Sequence, residues 1–339
     1  MKKILAVIMA SVLALSSLTG CTVGADNATA PVPETQAGTG QETQAAPAEA
    51  VSMDGVKTYD FVFIVKSMQF SFMLSMIDGA EAAAKLVPNI NIKCIGPETP
   101  YSVEEQIQLV EQAITDEADA ILICPADSTG IVPAIEKANA AGIPIATPNT
   151  KAYGGNVLTW VGVDNYTVGY QLGQAMAEAL EGQGKVVLIE GTPGNSTSTE
   201  RVDGYKDAFA EHPGIELLDS QPADFNREKG MTVMENFLQR YPEIDGVVSC
   251  NKDMTMGALE ACKAAGRLEE MIHITFDVDN DCLDAIDAGE ILITGAQEEK
   301  SQIANAIYNC LLACNGYKVA PEQYIPMTLV TKDNTADYR

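Results

Sequence analysis

Basic residues are scarce in this chain: Lys and Arg number 21 against 47 Asp and Glu, a formal net charge of -26. That balance argues against nucleic acid or an anionic membrane surface as partner of the folded part and favours a neutral or cationic small ligand, unless it serves solubility alone. Histidine is nearly missing. His212 stands beside Pro213 and His273 precedes an apolar run, and two isolated imidazoles make neither a zinc site nor a convincing catalytic base. A Ser nucleophile elbow is absent too. Gly191-Thr192-Pro193-Gly194 lacks the Gly-Lys-Ser/Thr ending of a phosphate loop, and no strand-turn-helix Gly-x-Gly-x-x-Gly pattern occurs, which speaks against nucleotides. Asp277-Val278-Asp279-Asn280-Asp281 starts like a calcium loop, but Cys282 takes the sixth place, where Gly is needed, and Ala288 the twelfth, where Glu is needed. We therefore expect no catalytic residue, no metal and no cofactor. An even cysteine framework is also lacking, since setting Cys21 apart leaves Cys94, Cys124, Cys250, Cys262, Cys282, Cys310 and Cys314. Several of these lie in apolar runs, where a thiol behaves as a small buried hydrophobe.

What the sequence does have begins at its start. Lys2 and Lys3, an apolar run over 4–15 and Leu18-Thr19-Gly20-Cys21 form a secretory signal over 1–20, too short to span a bilayer as a mature helix. The ending resembles a bacterial lipobox, which implies that Cys21 is acylated and becomes the new N-terminus. The alternative is an ordinary cleavable signal with a chance cysteine. Acyl chains, at about 0.8 kcal/mol per buried methylene, would anchor an extracytoplasmic domain to the bacterial cell membrane. Residues 21–57 are Ala, Thr, Pro, Glu, Gln and Gly with few large apolar side chains, the composition of a disordered tether. The remaining chain of about 280 residues exceeds the usual span of one core, so two lobes are expected.

Along that remainder, short β-branched runs alternate with amphipathic stretches. Strands are predicted over 59–65, 90–94, 120–124, 143–146, 157–161, 186–190, 215–218, 246–249, 272–276 and 291–295. Between them apolar residues recur at helical spacing, as in Ile77-Ala80-Ala84-Val87, Val103-Ile107-Val110-Ile114 and Leu172-Met176-Leu180. This rhythm predicts an α/β fold of two similar lobes, each a parallel sheet flanked by helices, with ligand-facing loops at the carboxyl ends of the strands.

At those strand ends stand Phe72-Met73, Pro125-Ala126-Asp127-Ser128, Gly162-Val163-Asp164-Asn165, Ser198-Thr199-Glu200-Arg201, Ala223-Asp224-Phe225-Asn226, Cys250-Asn251-Lys252-Asp253, Thr275-Phe276-Asp277 and Gly295-Ala296-Gln297. Their order and spacing over residues 58–331 resemble the ribose/galactose-type periplasmic sugar-binding proteins, the solute receptors of ABC importers. The resemblance implies a type I periplasmic binding fold with three hinge crossings, near Val163, Gln297 and Pro326. It divides the chain into an N-terminal lobe of 58–163 plus 298–326 and a C-terminal lobe of 164–297 plus 327–339. It also implies a monomer that binds a small carbohydrate and meets an ABC permease. The ribose branch's C-lobe ligand residues match Arg201, Phe225, Asn251, Asp277 and Gln297. Its N-lobe phenylalanine pair corresponds to Phe72 and Met73, and its aspartate-arginine pair to Asn149-Thr150. These replacements change which hydroxyls are satisfied and put ribose itself in doubt.

Each residue has a plainer alternative. Arg201 can pair with Glu200 or Asp203, Asn251 can cap a helix, and Phe225 and Phe72 can pack in a core. Asp279 or Asn280 is expected to cap a helix beside a ligand-facing Asp277, and Trp160 to pack at a hinge. The function implied is capture of a monosaccharide or related polyol for import. Sensing through a receptor kinase or chemoreceptor is the alternative.

Overall fold

The structure, a computed structural model, describes residues 57–339. The signal segment, Cys21 and the tether as far as residue 56 lie outside the described residues. The first half of the fold runs β1 (Tyr59–Ile64), α1 (Ser71–Leu86), β2 (Ile90–Ile95), α2 (Val103–Thr115), β3 (Ala120–Ile123), α3 (Val132–Ala140), β4 (Ile145–Pro148) and β5 (Thr159–Gly162). The second half repeats the rhythm with α4 (Asn165–Ala179), β6 (Gln183–Glu190), α5 (Ser196–Ala210), β7 (Gly214–Pro222), α6 (Arg227–Arg240), β8 (Gly246–Ser249), α7 (Lys252–Ala265), β9 (Ile272–Phe276), α8 (Asn280–Ala288) and β10 (Ile293–Ala296). The chain then adds α9 (Glu299–Cys314), β11 (Glu322–Tyr324) and β12 (Thr328–Val330).

Two 6-stranded sheets result, ordered β11-β5-β4-β3-β1-β2 and β12-β10-β9-β8-β6-β7. The chain passes from the first sheet to the second after β5, returns after β10 and crosses again between β11 and β12. Every ladder is parallel except β10 with β12, a short edge pairing. Central strands such as β3, β4 and β8 are buried along their whole length, as strands covered by helices on both faces must be. Both sheets reverse their winding at an inner strand, β1 in one and β6 in the other. At such switch points the carboxyl ends of the strands open a crevice.

Asn and Asp caps fix where the helices of the second lobe begin. Asn195, Asn226, Asn251 and Asp279 each accept a backbone N–H of the first turn of α5, α6, α7 and α8, satisfying donors that a helix start leaves free. These caps sit at the strand ends and so hold the site loops. In α1 the structure differs from the spacing reading. Of the Ile77-Ala80-Ala84-Val87 stripe only Ala80 is fully buried, with Met73, Met76, Gly79 and Ala83, while Ile77, Ala84 and Val87 pack half-buried at the margin of the same core. The cause is close packing on α9, where a Cβ at Gly79 would lie 2.9 Å from the Lys300 Cα. The seven cysteines of the described residues are free thiols.

Candidate functional site

The crevices of the two sheets face one another and form a single hollow. It is lined by Lys66, Phe70, Phe72, Met73, Tyr101 and Asn149 from the first lobe and by Thr197, Arg201, Phe225, Asn251, Asp253, Asp277 and Gln297 from the second. About 370 Å³ of atom-free space lies between these side chains, part of it open solvent. Eight of the sequence candidates thus converge: Phe72, Met73, Asn149, Arg201, Phe225, Asn251, Asp277 and Gln297. Thr150 does not reach the hollow. It is buried behind Asn149, where its Oγ1 accepts a hydrogen bond from Lys66 Nζ at 2.6 Å.

Backbone geometry aims these side chains. Tyr101, Asn149, Phe225 and Asp277 all take positive φ, at 63°, 66°, 54° and 75°. Left-handed backbone at a non-glycine residue persists only where the surroundings enforce it, and it clusters at ligand sites. At Asn149 the enforcing contact is its N–H donating to Val161 O at 2.8 Å, and at Asp277 it is the N–H donating to Gly295 O at 2.9 Å.

Several plainer alternatives hold alongside cleft placement. Asn251 does cap α7, its Oδ1 accepting from Met254 N at 3.0 Å, and it also lines the hollow. Phe225 packs with the second core and presents a face to the cleft, stacked on Tyr101 with ring centroids 6.1 Å apart. Arg201 pairs with neither Glu200 nor Asp203. It is buried, donates from Nε to Asn165 Oδ1 at 2.9 Å and from Nη1 to Cys250 O at 2.6 Å, and lies 4.0 Å over the Phe276 ring. Asp279 caps α8, leaving Asp277 free for the cleft. Trp160 lies outside the lining. It donates to Asn149 O at 3.2 Å and meets Tyr324 edge-on, bracing strands β5 and β11 at a crossing.

The electrostatics of the hollow follow from its burial. Desolvation pushes the Asp277 carboxyl up to about 6, against the pull of the Arg201 guanidinium. Burial also draws the Lys66 ammonium down to about 8, and the Tyr101 hydroxyl is raised well above its ordinary value by the same cause. Gln297 Nε2 donates to Asp277 Oδ1, while its Oε1 is buried without a partner among the described residues. A polar chain runs from Lys66 through Asn149 to Gln302 and on to the Gln297 carbonyl, linking the lobes beside a crossing.

The lobes are closed on each other in this conformation. Asn195 Nδ2 donates to Pro125 O at 3.0 Å and Ala126 O at 3.1 Å, Ser196 N donates to Ser128 Oγ at 3.0 Å, and Lys151 N donates to Ser196 Oγ at 3.0 Å.

Residues 61–318 match the family model described as a periplasmic binding protein domain. The chain belongs to that family. The ribose import binding protein of Bacillus subtilis is 33% identical over 278 residues, which is 81% of this chain and 88% of that protein. The xylitol-binding protein of Mycolicibacterium smegmatis is 29% identical, covering 83% of this chain and 77% of its own length. Among solved structures, an ABC transporter solute-binding protein of Actinobacillus succinogenes with bound D-allose superposes with a TM-score of 0.78 at 30% identity, covering 83% of this chain and 100% of that one. A solute-binding protein of Bacillus halodurans with bound myo-inositol also gives 0.78, at 29% identity over 84% of this chain and 98% of that one. The fold is thus the type I periplasmic binding fold.

Reasoning from the sequence missed Lys66, Phe70, Tyr101, Thr197 and Asp253. Lys66 had a usable signal, a charged residue directly after the apolar run of β1, at the strand end where the fold places ligands. Tyr101 had none, because it reaches the cleft only through its left-handed backbone and the bond from its N–H to Lys66 O at 2.9 Å.

Proposed function

We propose that this periplasmic binding protein is the solute receptor of an ABC importer, capturing a monosaccharide or related polyol between its lobes and handing it to a membrane permease. The observation that carries this reading is the chemistry of one closed hollow. Aromatic faces at Phe72, Tyr101 and Phe225 stand around mixed hydrogen-bonding groups at Asn149, Arg201, Asn251, Asp277 and Gln297. Sugar hydroxyls donate and accept; Asp277 as carboxylate accepts, Arg201 donates, and the amides do both. The C–H face of a ring suits an aromatic neighbour. No bond is made or broken in this task. The protein is a binder and not an enzyme.

Capture works through closure. A ligand that touches both lobes favours the closed arrangement by its extra affinity for it, and the permease meets that closed surface. Relatives named for ribose import favour import over sensing. Calorimetry against pentoses, hexoses, inositols and sugar acids is expected to yield at least one ligand with a Kd of about a micromolar or tighter. Silence across the whole panel would remove the reading.

Extracytoplasmic work fits the family, and we infer in addition that Cys21 carries the lipid that keeps this monomeric receptor at the membrane. In a bacterial host the full chain is expected in the membrane fraction and Cys21→Ala in the soluble fraction. Equal partitioning of the two would refute the anchor.

A further inference from the structure

The charges of the cleft are unevenly paired. Against a net -26 for the sequence, the buried lining carries two cations, Lys66 and Arg201, and one buried carboxylate, Asp277. Asp253, also on the lining, is matched by Lys252 at 2.9 Å, and Lys252 also meets Asp279. Arg201 is settled by Asn165, the Cys250 carbonyl and the Phe276 ring, with Asp277 as its counter-charge.

Lys66 is less settled: the Asp277 charge favours its ammonium through space but makes no ion pair or hydrogen bond with it. It is 3% exposed, and its ammonium donates only to neutral acceptors, Asn149 Oδ1 at 3.1 Å and Thr150 Oγ1 at 2.6 Å. An ammonium has three donors, so one N–H is left without a partner among the described residues. The nitrogen lies 5.8 Å from the centroid of the Phe225 ring, beside the space a ligand stacked on that ring would fill. Asn149, the nearest oxygen-bearing residue with the shape of an acid, is an amide. A buried cation without a direct ion-pair partner is costly, and a ligand anion placed against it lowers that cost.

Resting on the carbohydrate reading above, we propose that the ligand this cleft is built for is a polyhydroxy carboxylate, a sugar acid whose carboxylate meets Lys66 while its hydroxyls meet Asn251, Asp277, Gln297 and Arg201. A neutral sugar can accept a hydrogen bond from Lys66 but leaves its charge without a direct ion-pair partner. The acid supplies that partner and is selected over its own parent sugar.

The test titrates neutral pentoses and hexoses beside the aldonate and uronate of each, at pH 7 and fixed salt, into the wild-type chain, Lys66→Gln and Asn149→Asp. The best acid is expected to bind wild type about tenfold or more tightly than its parent. Lys66→Gln is expected to collapse that ratio toward one. Asn149→Asp places a carboxylate beside Lys66 from within the protein and is expected to reverse the preference toward the neutral sugar, so the proposal is read even if one variant fails to fold. A parent sugar that binds wild type more tightly than all of its acids would overturn the proposal and leave the carbohydrate reading standing. An acid preference unchanged in both variants would overturn it as well. Absence of binding by every sugar and every acid would bring down both readings.

Discussion

Asp277→Asn is expected to weaken ligand binding by about two to three orders of magnitude and, at the same pH, to make the ligand-free protein more stable. Hydrogen bonds to a charged acceptor contribute roughly 1.5–3 kcal/mol each. Asp277 presents its carboxylate to the hollow with one oxygen also taken by Gln297 Nε2, so losing the charge costs about 3–4 kcal/mol of affinity, or a factor of 10² to 10³. The stability change has the opposite sign. The folded carboxyl titrates at about 6, where an aspartate in water titrates at 3.8, so above pH 6 the folded state holds an ion that the unfolded chain accommodates more easily. Each tenfold change in acidity corresponds to about 1.4 kcal/mol, so the penalty comes to about 3 kcal/mol, which the neutral amide removes. A group that destabilises its own protein and is retained at a cleft is the pattern expected of a binding residue. Calorimetry and urea unfolding at pH 7 read the two effects separately. Unchanged affinity would remove Asp277 from the site. Lower stability would show that the counter-charge Asp277 gives to the buried Arg201 outweighs its own desolvation.

Most of the fold was readable because its strands advertise themselves. Runs such as Ile121-Leu122-Ile123 and Val247-Val248 are buried on both faces, and nothing but a covered parallel sheet accommodates them in alternation with helices. The edge strands β11 and β12 escaped, since Glu322–Tyr324 and Thr328–Val330 carry mixed exposure and no periodic signal. In the site, residues directly at a strand end or in a helix cap were legible, as Asn251, Asp277 and Gln297 illustrate. Those that enter through a loop were not. Tyr101 and Phe70 come from the segments before α2 and α1, and their rings meet at 5.5 Å only once the first lobe is assembled. Lys66 was overlooked for another reason. The charge tally of a whole sequence hides how charges pair in a pocket, and a count of 47 acids along the chain says nothing of the surroundings of one buried ammonium.

Two buried groups are expected to pull the stability of the protein in opposite directions as the pH falls. His273 lies in β9, is 1% exposed, and finds no partner for either ring nitrogen among the described residues; burial draws its imidazole down from 6.5 to about 4. A depressed imidazole contributes fully above pH 6.5, and its contribution is lost as the pH falls from 6.5 toward 4, because the unfolded chain takes up the proton first. Asp277 runs the other way. Its carboxyl is raised from 3.8 to about 6, so the stability it allows at low pH is lost as the pH rises through that window. Each contribution amounts to about 3 kcal/mol, and between pH 4 and 6 their slopes nearly cancel. Lys66, which titrates near 8, stays charged throughout this range and adds no slope. Relative to wild type, Asp277→Asn is therefore expected to gain stability as the pH is raised from 4 to 6, and His273→Leu to lose it over the same interval. Exposed carboxylates titrate alike in all three proteins and drop out of the differences. Urea unfolding at half-unit steps of pH checks both signs, and parallel curves for wild type and His273→Leu would mean that the imidazole is not held neutral by the sheet around it.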